Sequence, residues 1–466
     1  MEFSPNDEHK NKYSLDKFES MLKTNNVLFF DSNEFENITH HYLDNGKIAL
    51  AKKAVKLGLE QHPTSVNLKL FRIEILSFEN KLDEAEELLN KLYELESFNE
   101  EVYIQKASIL SKRDEHEKAI HVLQNALDFS RDGEIISDIY SLIGMEYLFM
   151  DNFVDAKTYF IKCLETDSQD YSALYNVVYC FDFLDQKTEA IDFLNMYLDT
   201  NPYCEVAWHQ LGKQYFTIKE YKKALAAFDF AIISDDTFVG AYIEKGKVLE
   251  KLKLYNEAIE QYQLSMQLDD PTSFALLRIG LCYEKSDNKE LAIKHYYKTV
   301  QEDPLLDKGW IAITSFYKKQ GNYQKALYYI NKAINIDSEN VVYWKLYAQI
   351  NKRLNFLEEA ANGYKKTLLY GNYELDTWIS CADVLIAIGE YNDAIFNLNQ
   401  AIEFYPENAE ITYRLAGLYF KTNKSEKGYF YLKNAFALDE EYTFILDELF
   451  PKIANRESIK NIIEAH

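Results

Sequence analysis

One residue position recurs along this chain about every 34 residues, and this repeat constrains the fold more than any other feature. Alanine occupies that position eleven times, and only Gly428 departs from it. Such a period is typical of tandem helical pairs that each bury an apolar face against the next pair. The alanine column consists of Ala51, Ala85, Ala119, Ala156, Ala190, Ala224, Ala258, Ala292, Ala326, Ala360 and Ala394.

Larger residues keep fixed distances from this column. Trp208 and Gly212 precede Ala224, Phe228 follows it, and similar residues return at the same offsets in later repeats. This pattern resembles the tetratricopeptide repeat, a helix–turn–helix unit of 34 residues. The resemblance implies an all-α fold, a right-handed α-solenoid superhelix built from tandem repeats.

The phase of the repeat divides the chain into four segments. Residues 1–14 are polar and predicted to be disordered, 15–31 form an N-terminal capping helix, 32–442 hold twelve repeats, and 443–466 form C-terminal capping helices. The phase slips by three residues near 130–136, which leaves a longer loop or a hinge as alternatives. The predicted repeats start near Ser32, Val66, Glu100, Ser137, Tyr171, Glu205, Val239, Ser273, Asp307, Val341, Leu375 and Ala409.

Composition restricts the classes of function. The net charge of −24 argues against nucleic acid as the main partner. The five cysteines lack any CxxC spacing, so we expect a reducing compartment. The N-terminus has no apolar core of a secretory signal and no run is long enough to span a membrane, which predicts a cytoplasmic protein. Abundant Lys, Asn, Ile and Tyr suggest a bacterial source.

No catalytic or metal-binding pattern is present in the sequence. Residues outside the repeats are too few for a catalytic domain, and the glycines are single rather than grouped in a phosphate-binding loop. His116 and His121 are five residues apart, which is a poor helical spacing for a metal pair, and no cysteine accompanies them. We therefore predict a non-enzymatic protein without cofactor or metal.

The tetratricopeptide resemblance implies a groove formed by the first helix of each repeat, with repeat positions 2, 5, 9, 12 and 13 facing it. Two zones follow when these positions are transferred to this sequence. An aromatic zone in repeats four to six consists of Phe149, Tyr175, Tyr179, Phe183 and Phe216. A basic zone in repeats six to ten consists of Lys213, Lys247, Lys251, Lys285, Lys308, Lys318, Lys319, Lys345, Lys352 and Arg353.

These zones predict a scaffold or adaptor that binds a partner protein segment with apolar and acidic residues. Aromatic anchors supply most of the binding energy at such surfaces, and charges set orientation and association rate. The alternatives are that the aromatic rings only pack on neighbouring repeats and the lysines only solvate helix ends. A structural subunit acting through its edges, and nucleic-acid binding, also remain open, as does the oligomeric state.

Overall fold

Helices follow one another in antiparallel pairs along the chain. The structure is a computed structural model that describes residues 5–24, 28–96, 98–269 and 272–459, and within those ranges it contains helices and no strand. It divides into two compact units, Met1–Asp235 and Asp236–His466. The all-α repeat architecture predicted from the sequence is therefore confirmed.

The first compact unit contains thirteen helices in its described residues. They are α1 (Pro5–Thr24), α2 (Ser32–Asp44), α3 (Ile48–Gln61), α4 (Val66–Phe78), α5 (Leu82–Tyr93), α6 (Glu100–Ser111), α7 (His116–Leu127), α8 (Gly133–Phe149), α9 (Phe153–Thr166), α10 (Tyr171–Phe183), α11 (Lys187–Thr200), α12 (Glu205–Thr217) and α13 (Tyr221–Ser234).

The second compact unit continues the pairs from α14 to α25. Its helices are α14 (Val239–Lys251), α15 (Tyr255–Leu268), α16 (Ser273–Lys285), α17 (Lys289–Glu302), α18 (Asp307–Lys319), α19 (Tyr323–Ile336), α20 (Val341–Arg353), α21 (Leu357–Leu369), α22 (Leu375–Ile388), α23 (Tyr391–Phe404), α24 (Ala409–Lys421), α25 (Ser425–Leu438), a 3-10 turn (Glu440–Thr443), α26 (Phe444–Leu449) and α27 (Pro451–Ala454). We call the first helix of each pair from α2 to α25 an A helix and the second a B helix.

The alanine column belongs to the buried interior of the helix pairs. All eleven alanines have no exposed surface. The neighbouring column of large residues fills the space beside them: the Phe228 ring lies so close to Gly212 that a β-carbon there would be 2.6 Å from the ring. A larger residue in either small position would overpack this contact, at a cost of about 1–3 kcal/mol. The recurring small and large residues are therefore explained by packing between the two helices of each pair.

The three residues that shift the repeat phase near 130–136 extend the start of helix α8. Asp132 caps α8 by accepting a hydrogen bond from the Glu134 backbone N–H at 3.0 Å, and α8 begins at Gly133 instead of near Ser137. The inserted residues therefore add about one turn to the start of the A helix, rather than a longer loop. A hinge at 130–136 stays a prediction, and the boundary between the two compact units lies after Asp235.

The chain ends differ in extent from the predicted segments. The helix expected over 15–31 begins at Pro5 and ends at Thr24, so most of the segment 1–14 is helical. Residues 1–4 of that segment, and residues 460–466 of the predicted C-terminal cap, lie outside the described residues. The Phe450 ring packs against Gly417 of the last A helix, which places apolar cover on α24.

The turn between the A and B helices uses a left-handed residue at the same position in every described pair. Three of these residues are glycine and nine are not. Asn and Asp tolerate this conformation because their short side chains bond locally, whereas lysine gains nothing there. The two lysines are Lys219 and Lys253, with φ of 66° and 64°.

Replacing Lys219 with glycine is therefore expected to stabilise the protein by about 0.5–1 kcal/mol, because relief of the left-handed strain exceeds the entropy of glycine. Urea denaturation followed by circular dichroism measures the change. The converse control is Gly389→Ala, at φ 88° in open space, which should lose about 1 kcal/mol. A decrease in stability for Lys219→Gly would contradict this explanation.

Candidate functional site

Four A helices of the first compact unit lie side by side and line a shared cavity of about 790 Å³. Its walls come from α2, α4, α6 and α8, and Phe149 lies on the α8 wall. The A-helix surface, to which the tetratricopeptide resemblance assigns partner binding, is therefore concave in this part of the chain.

Carboxylates give this cavity an acidic character. Asp44 and Glu74 line it, and burial, reinforced by repulsion from the neighbouring Glu101, raises the pKa of Glu74. Phe78 also lines the cavity and is 68% exposed. Phe78 lies outside the predicted aromatic zone, although it holds the same repeat position as Phe149 and Phe183, so its place here was predictable from the sequence.

Four of the five residues of the predicted aromatic zone are exposed. The exposed fractions are 57% for Phe149, 42% for Tyr175, 50% for Tyr179 and 62% for Phe183, whereas Phe216 is half-buried and packs on Tyr221. Tyr179 and Phe183 are neighbours, with ring centroids 6.0 Å apart. Contiguous exposed apolar side chains are uncommon on soluble proteins unless they mark a binding surface. All five belong to the first compact unit.

Contacts with neighbouring rings hold part of this aromatic zone in place. Phe183 stacks on Phe153 with ring centroids 3.9 Å apart, and Tyr179 lies 6.0 Å from Phe183. Phe149 lies 5.5 Å from the ring of His116. These side chains are therefore partly ordered before any partner binds, which lowers the entropy lost on association.

The predicted basic zone is divided between the two compact units. Lys213 belongs to the first, where its Nζ donates to Gln210 Oε1 at 3.3 Å, and the other nine residues belong to the second. Four of those nine form ion pairs with nearby carboxylates. The pairs are Lys247 with Glu244 at 2.6 Å, Lys285 with Glu250 at 3.0 Å, Lys319 with Glu284 at 2.5 Å, and Lys345 with Glu374 at 2.7 Å.

Glu250 shows why this pairing reduces the basic character. Its side chain is 2% exposed and contacts Arg278 at 2.7 Å as well as Lys285, and it accepts a hydrogen bond from the Tyr262 hydroxyl at 2.9 Å. A buried carboxylate needs such partners, because an unpaired buried charge is strongly destabilising. Lys285 therefore balances a buried charge instead of offering its own to a partner protein.

Five cations of the basic zone show no ion pair within the described residues. They are Lys251, Lys308, Lys318, Lys352 and Arg353. Burial, together with repulsion from Arg353, lowers the pKa of Lys318, whose Nζ donates to Gln349 Oε1 at 3.0 Å. An anion beside Lys318 and Arg353 would relieve that repulsion. Of these five cations, Lys308 lies at the start of α18 and the other four lie at the ends of α14, α18 and α20. The basic zone as a binding surface stays a prediction.

Burial determines the chemistry of the cysteines. All five cysteines are buried and unpaired, and burial raises the pKa of Cys163 and Cys381 to about 12, which keeps these thiols protonated and unreactive. Among the described residues, no group of three or more potential ligands is arranged to hold a metal ion. In the same residues, no helix combines the length and apolarity that crossing a bilayer requires.

Comparison with known proteins identifies the repeat in five segments. Models described as tetratricopeptide repeat match residues 137–170, 239–271, 274–305 and 308–340, and a model described as TPR repeat matches 382–423. Anaphase-promoting complex subunit 3 of Schizosaccharomyces pombe is 26% identical over 162 residues, which are 35% of this chain and 24% of that protein. The chain thus matches about a quarter of this relative, and a bacterial source stays a prediction.

Several solved structures are similar to this chain at low identity. The anaphase-promoting complex hetero-tetramer Cut9–Hcn1 is 14% identical, with 88% of this chain and 93% of that chain covered and a TM-score of 0.38. A tetratricopeptide repeat protein of Parabacteroides merdae is 15% identical, with 53% and 97% covered and a TM-score of 0.41. The MamA protein is 20% identical, with 36% and 91% covered and a TM-score of 0.32.

The helix pairs, the buried alanine column and the matched segments agree with one another. The column of small residues produces the close helix contact that the 34-residue repeat requires. The count of twelve repeats stays a prediction, because the models match five segments. This chain contains tetratricopeptide repeats, a module that generally mediates protein–protein interaction and is typically non-catalytic.

Proposed function

We propose that this chain is a non-catalytic, cytoplasmic scaffold or adaptor that binds segments of partner proteins on its A-helix surface. The observation that carries the proposal is the exposure of the aromatic side chains Phe149, Tyr175, Tyr179 and Phe183. Phe183 also packs on Phe153 of the preceding repeat, but it and the other three rings keep 42–62% of their surface exposed. Burying that surface on a partner gains free energy that the free protein forgoes.

In the first compact unit the proposed ligand is an apolar segment. Aromatic residues dominate binding energy at protein interfaces, and truncating one central anchor costs about 2 kcal/mol or more. The stacking of Phe153 and Phe183 offers a preformed flat apolar surface. We therefore expect this zone to select segments with large apolar side chains.

In the second compact unit the proposed ligand is acidic. Lys318 and Arg353 repel each other, and neither has a carboxylate partner in the described part of the chain. Complementary charges mainly accelerate association and exclude wrong partners. The unpaired cations Lys251, Lys308 and Lys352 add to the positive potential of this compact unit.

A selection from displayed random peptides on the native protein tests both proposals. The variant Phe149→Ser, Tyr179→Ser, Phe183→Ser should weaken binding of the apolar peptides by about 100-fold or more. A matched control removes three other exposed apolar residues of the same compact unit, Met196→Ser, Tyr203→Ser and Ile233→Ser, and should change the affinity by less than about twofold. Equal binding by both triple variants would contradict the proposal that the aromatic zone binds the apolar peptides.

A separate pair of double variants tests the basic zone in the same peptide selection. Lys318→Glu with Arg353→Glu should weaken acidic peptides by about tenfold and reduce their salt dependence. The control Lys325→Glu with Lys332→Glu changes the net charge equally but alters a B helix. If both double variants weaken binding to the same extent, the net charge of the protein and not this zone attracts the peptides.

One specific observation favours a second candidate function, a structural subunit of a larger assembly. The relative from Schizosaccharomyces pombe is itself named as a subunit of the anaphase-promoting complex. Such a role through edges or caps does not require the aromatic zone. Sedimentation of the native protein and of the aromatic triple variant separates the two functions, because an assembly through edges survives the triple substitution.

A further inference from the structure

A second pocket lies on the B-helix side of the second compact unit, away from the A-helix surface. It has a volume of about 550 Å³ and lies between the B helices α21 and α23 over the A helix α22. Trp378 and Asn397 line it, together with the exposed side chains of Leu369 and Phe396. Neither of the two proposed zones includes these residues.

Trp378 is unlike the other three tryptophans of the chain. Each of the others donates its indole N–H to the carbonyl oxygen six residues earlier, and these bonds are Trp208 to Pro202 at 2.8 Å, Trp310 to Pro304 at 2.9 Å and Trp344 to Ser338 at 2.8 Å. Trp378 is 3% exposed, and its Nε1 has no hydrogen-bond acceptor. A buried donor without an acceptor is costly, so it needs an explanation.

The preceding loop explains why the usual acceptor is missing. The B helices before the other three tryptophans have fourteen residues, whereas α21 has thirteen and ends at Leu369. Gly371 then adopts a left-handed conformation with φ 100°, and Asn372 turns to bond Thr377 through its side chain. The backbone at Asn372 therefore does not meet the indole as its counterparts do.

Asn397 adds an unpaired acceptor to the same pocket. It is 6% exposed, and its Oδ1 has no hydrogen-bond donor. At this position of α23, other repeats carry rings such as Tyr329, which stacks on Trp310 at 6.1 Å. The small polar Asn397 leaves space where those repeats are filled.

We propose that this pocket binds a backbone peptide group of a partner protein together with its adjacent apolar side chain. A peptide group offers a carbonyl oxygen for Trp378 Nε1 and an N–H for Asn397 Oδ1, whereas a carboxylate only accepts and an ammonium only donates. The nearby ion pair of Lys365 and Asp393 at 2.5 Å balances its own charges, which favours a neutral ligand. Leu369 and Phe396, 68% and 65% exposed, provide the apolar contact.

Access to the two polar atoms requires rearrangement at the rim. Neither atom contacts solvent in the structure. Exposed side chains at this rim, such as Leu369 and Phe396, change rotamer within nanoseconds. We expect binding to shift the signal of one indole N–H specifically.

Nuclear magnetic resonance of the full chain with ¹⁵N-labelled tryptophan tests the proposal, because its four indole signals are observed separately. The variant Trp378→Phe assigns the relevant signal. The probe is N-acetyl-leucine N-methylamide, and its size predicts a Kd on the order of 1 mM. We expect saturable movement of the Trp378 signal alone, and at least about tenfold weaker binding in Asn397→Leu, which removes the acceptor and fills the space.

Control variants and control ligands distinguish the proposed peptide group from other occupants of this pocket. Asn331→Leu, on a B helix outside this pocket, should leave binding unchanged, and Phe396→Ser should weaken it without altering the other three indole signals. No shift, a common drift of all four signals, or full binding by Asn397→Leu would overturn the proposal and leave water as the occupant. Equal shifts with propanamide would show that the pocket binds a side-chain amide and not a backbone peptide group. A shift with protein concentration alone would identify a second copy of this chain as the occupant. Either result also overturns the proposal.

Discussion

Replacing Asp383 with alanine is expected to destabilise the second compact unit by about 3–5 kcal/mol. Asp383 forms two bonds with Arg414, from Nε at 2.7 Å and from Nη2 at 3.2 Å, and the Arg414 side chain is only 8% exposed. Without Asp383, the guanidinium keeps only Glu410, whose carboxylate is 3.6 Å away and whose backbone oxygen accepts at 3.1 Å. A buried charge without a close partner is far more costly than the pair is stabilising.

Two further variants make this prediction specific. The double variant Asp383→Leu with Arg414→Met should recover most of the stability, because no unpaired charge remains. Lys365→Ala removes one partner of an exposed pair with Asp393 and should cost less than about 1 kcal/mol. Urea denaturation with hydrogen exchange in α22–α25 measures all three, and a loss for Asp383→Ala no larger than that for Lys365→Ala would contradict the explanation.

Replacing Phe228 with alanine should cost about 3–5 kcal/mol, and the loss should be local. Phe228 has no exposed surface, and its ring fills the space that Gly212 leaves open. Truncation therefore creates a cavity between α12 and α13. Because tandem repeats couple mainly to their neighbours, distant helices of the first compact unit should keep their protection from hydrogen exchange.

Phe230 provides the matched control for this prediction. It lies two residues further along α13, is 48% exposed, and stacks on Trp208 with ring centroids 4.7 Å apart. Phe230→Ala should cost about 0.5–1.5 kcal/mol, since the stacking is lost but no internal cavity forms. Equal losses for the two substitutions, or uniform loosening of α2–α13 in Phe228→Ala, would contradict the local model of stability.

The sequence predicted the fold well because its strongest pattern reports a direct physical contact. The alanine column marks where two helices touch, so its phase also indicates where helices begin: α12 starts at Glu205 and α18 at Asp307. The start of α8 at Gly133 was not predicted, although Asp132 caps this helix. A change in phase shows that residues are inserted but not what structure they adopt.

The candidate site was less predictable because it depends on contacts between repeats. Lys285 balances the buried Glu250, whereas Lys318 has no carboxylate partner. The positions of the two lysines within their repeats did not reveal this difference. The contacts of Lys285 with Glu250 and of Lys318 with Gln349 each join residues more than 30 positions apart in sequence. The exposed aromatic zone was easier to predict, since position within one repeat decides whether a ring such as Phe183 faces outward.

The unpaired indole of Trp378 shows the same limit more clearly. Trp310 and Trp378 occupy the same repeat position, but only Trp310 bonds a backbone oxygen. The difference originates in one residue fewer of α21 and the left-handed Gly371. The glycine is visible in the sequence, but its effect on a side chain seven residues later depends on the geometry of the loop.

The central claim is that the exposed aromatic zone of the first compact unit binds partner proteins. Quantitative affinity capture from a lysate of the source cells, followed by mass spectrometry, tests it most directly. Three baits are compared: the native chain, the triple variant at Phe149, Tyr179 and Phe183, and the control triple at Met196, Tyr203 and Ile233. We predict that a defined set of proteins binds to the native and control baits and is lost from the aromatic variant. Retention of that set by the aromatic variant would contradict the claim and place the interaction on another surface.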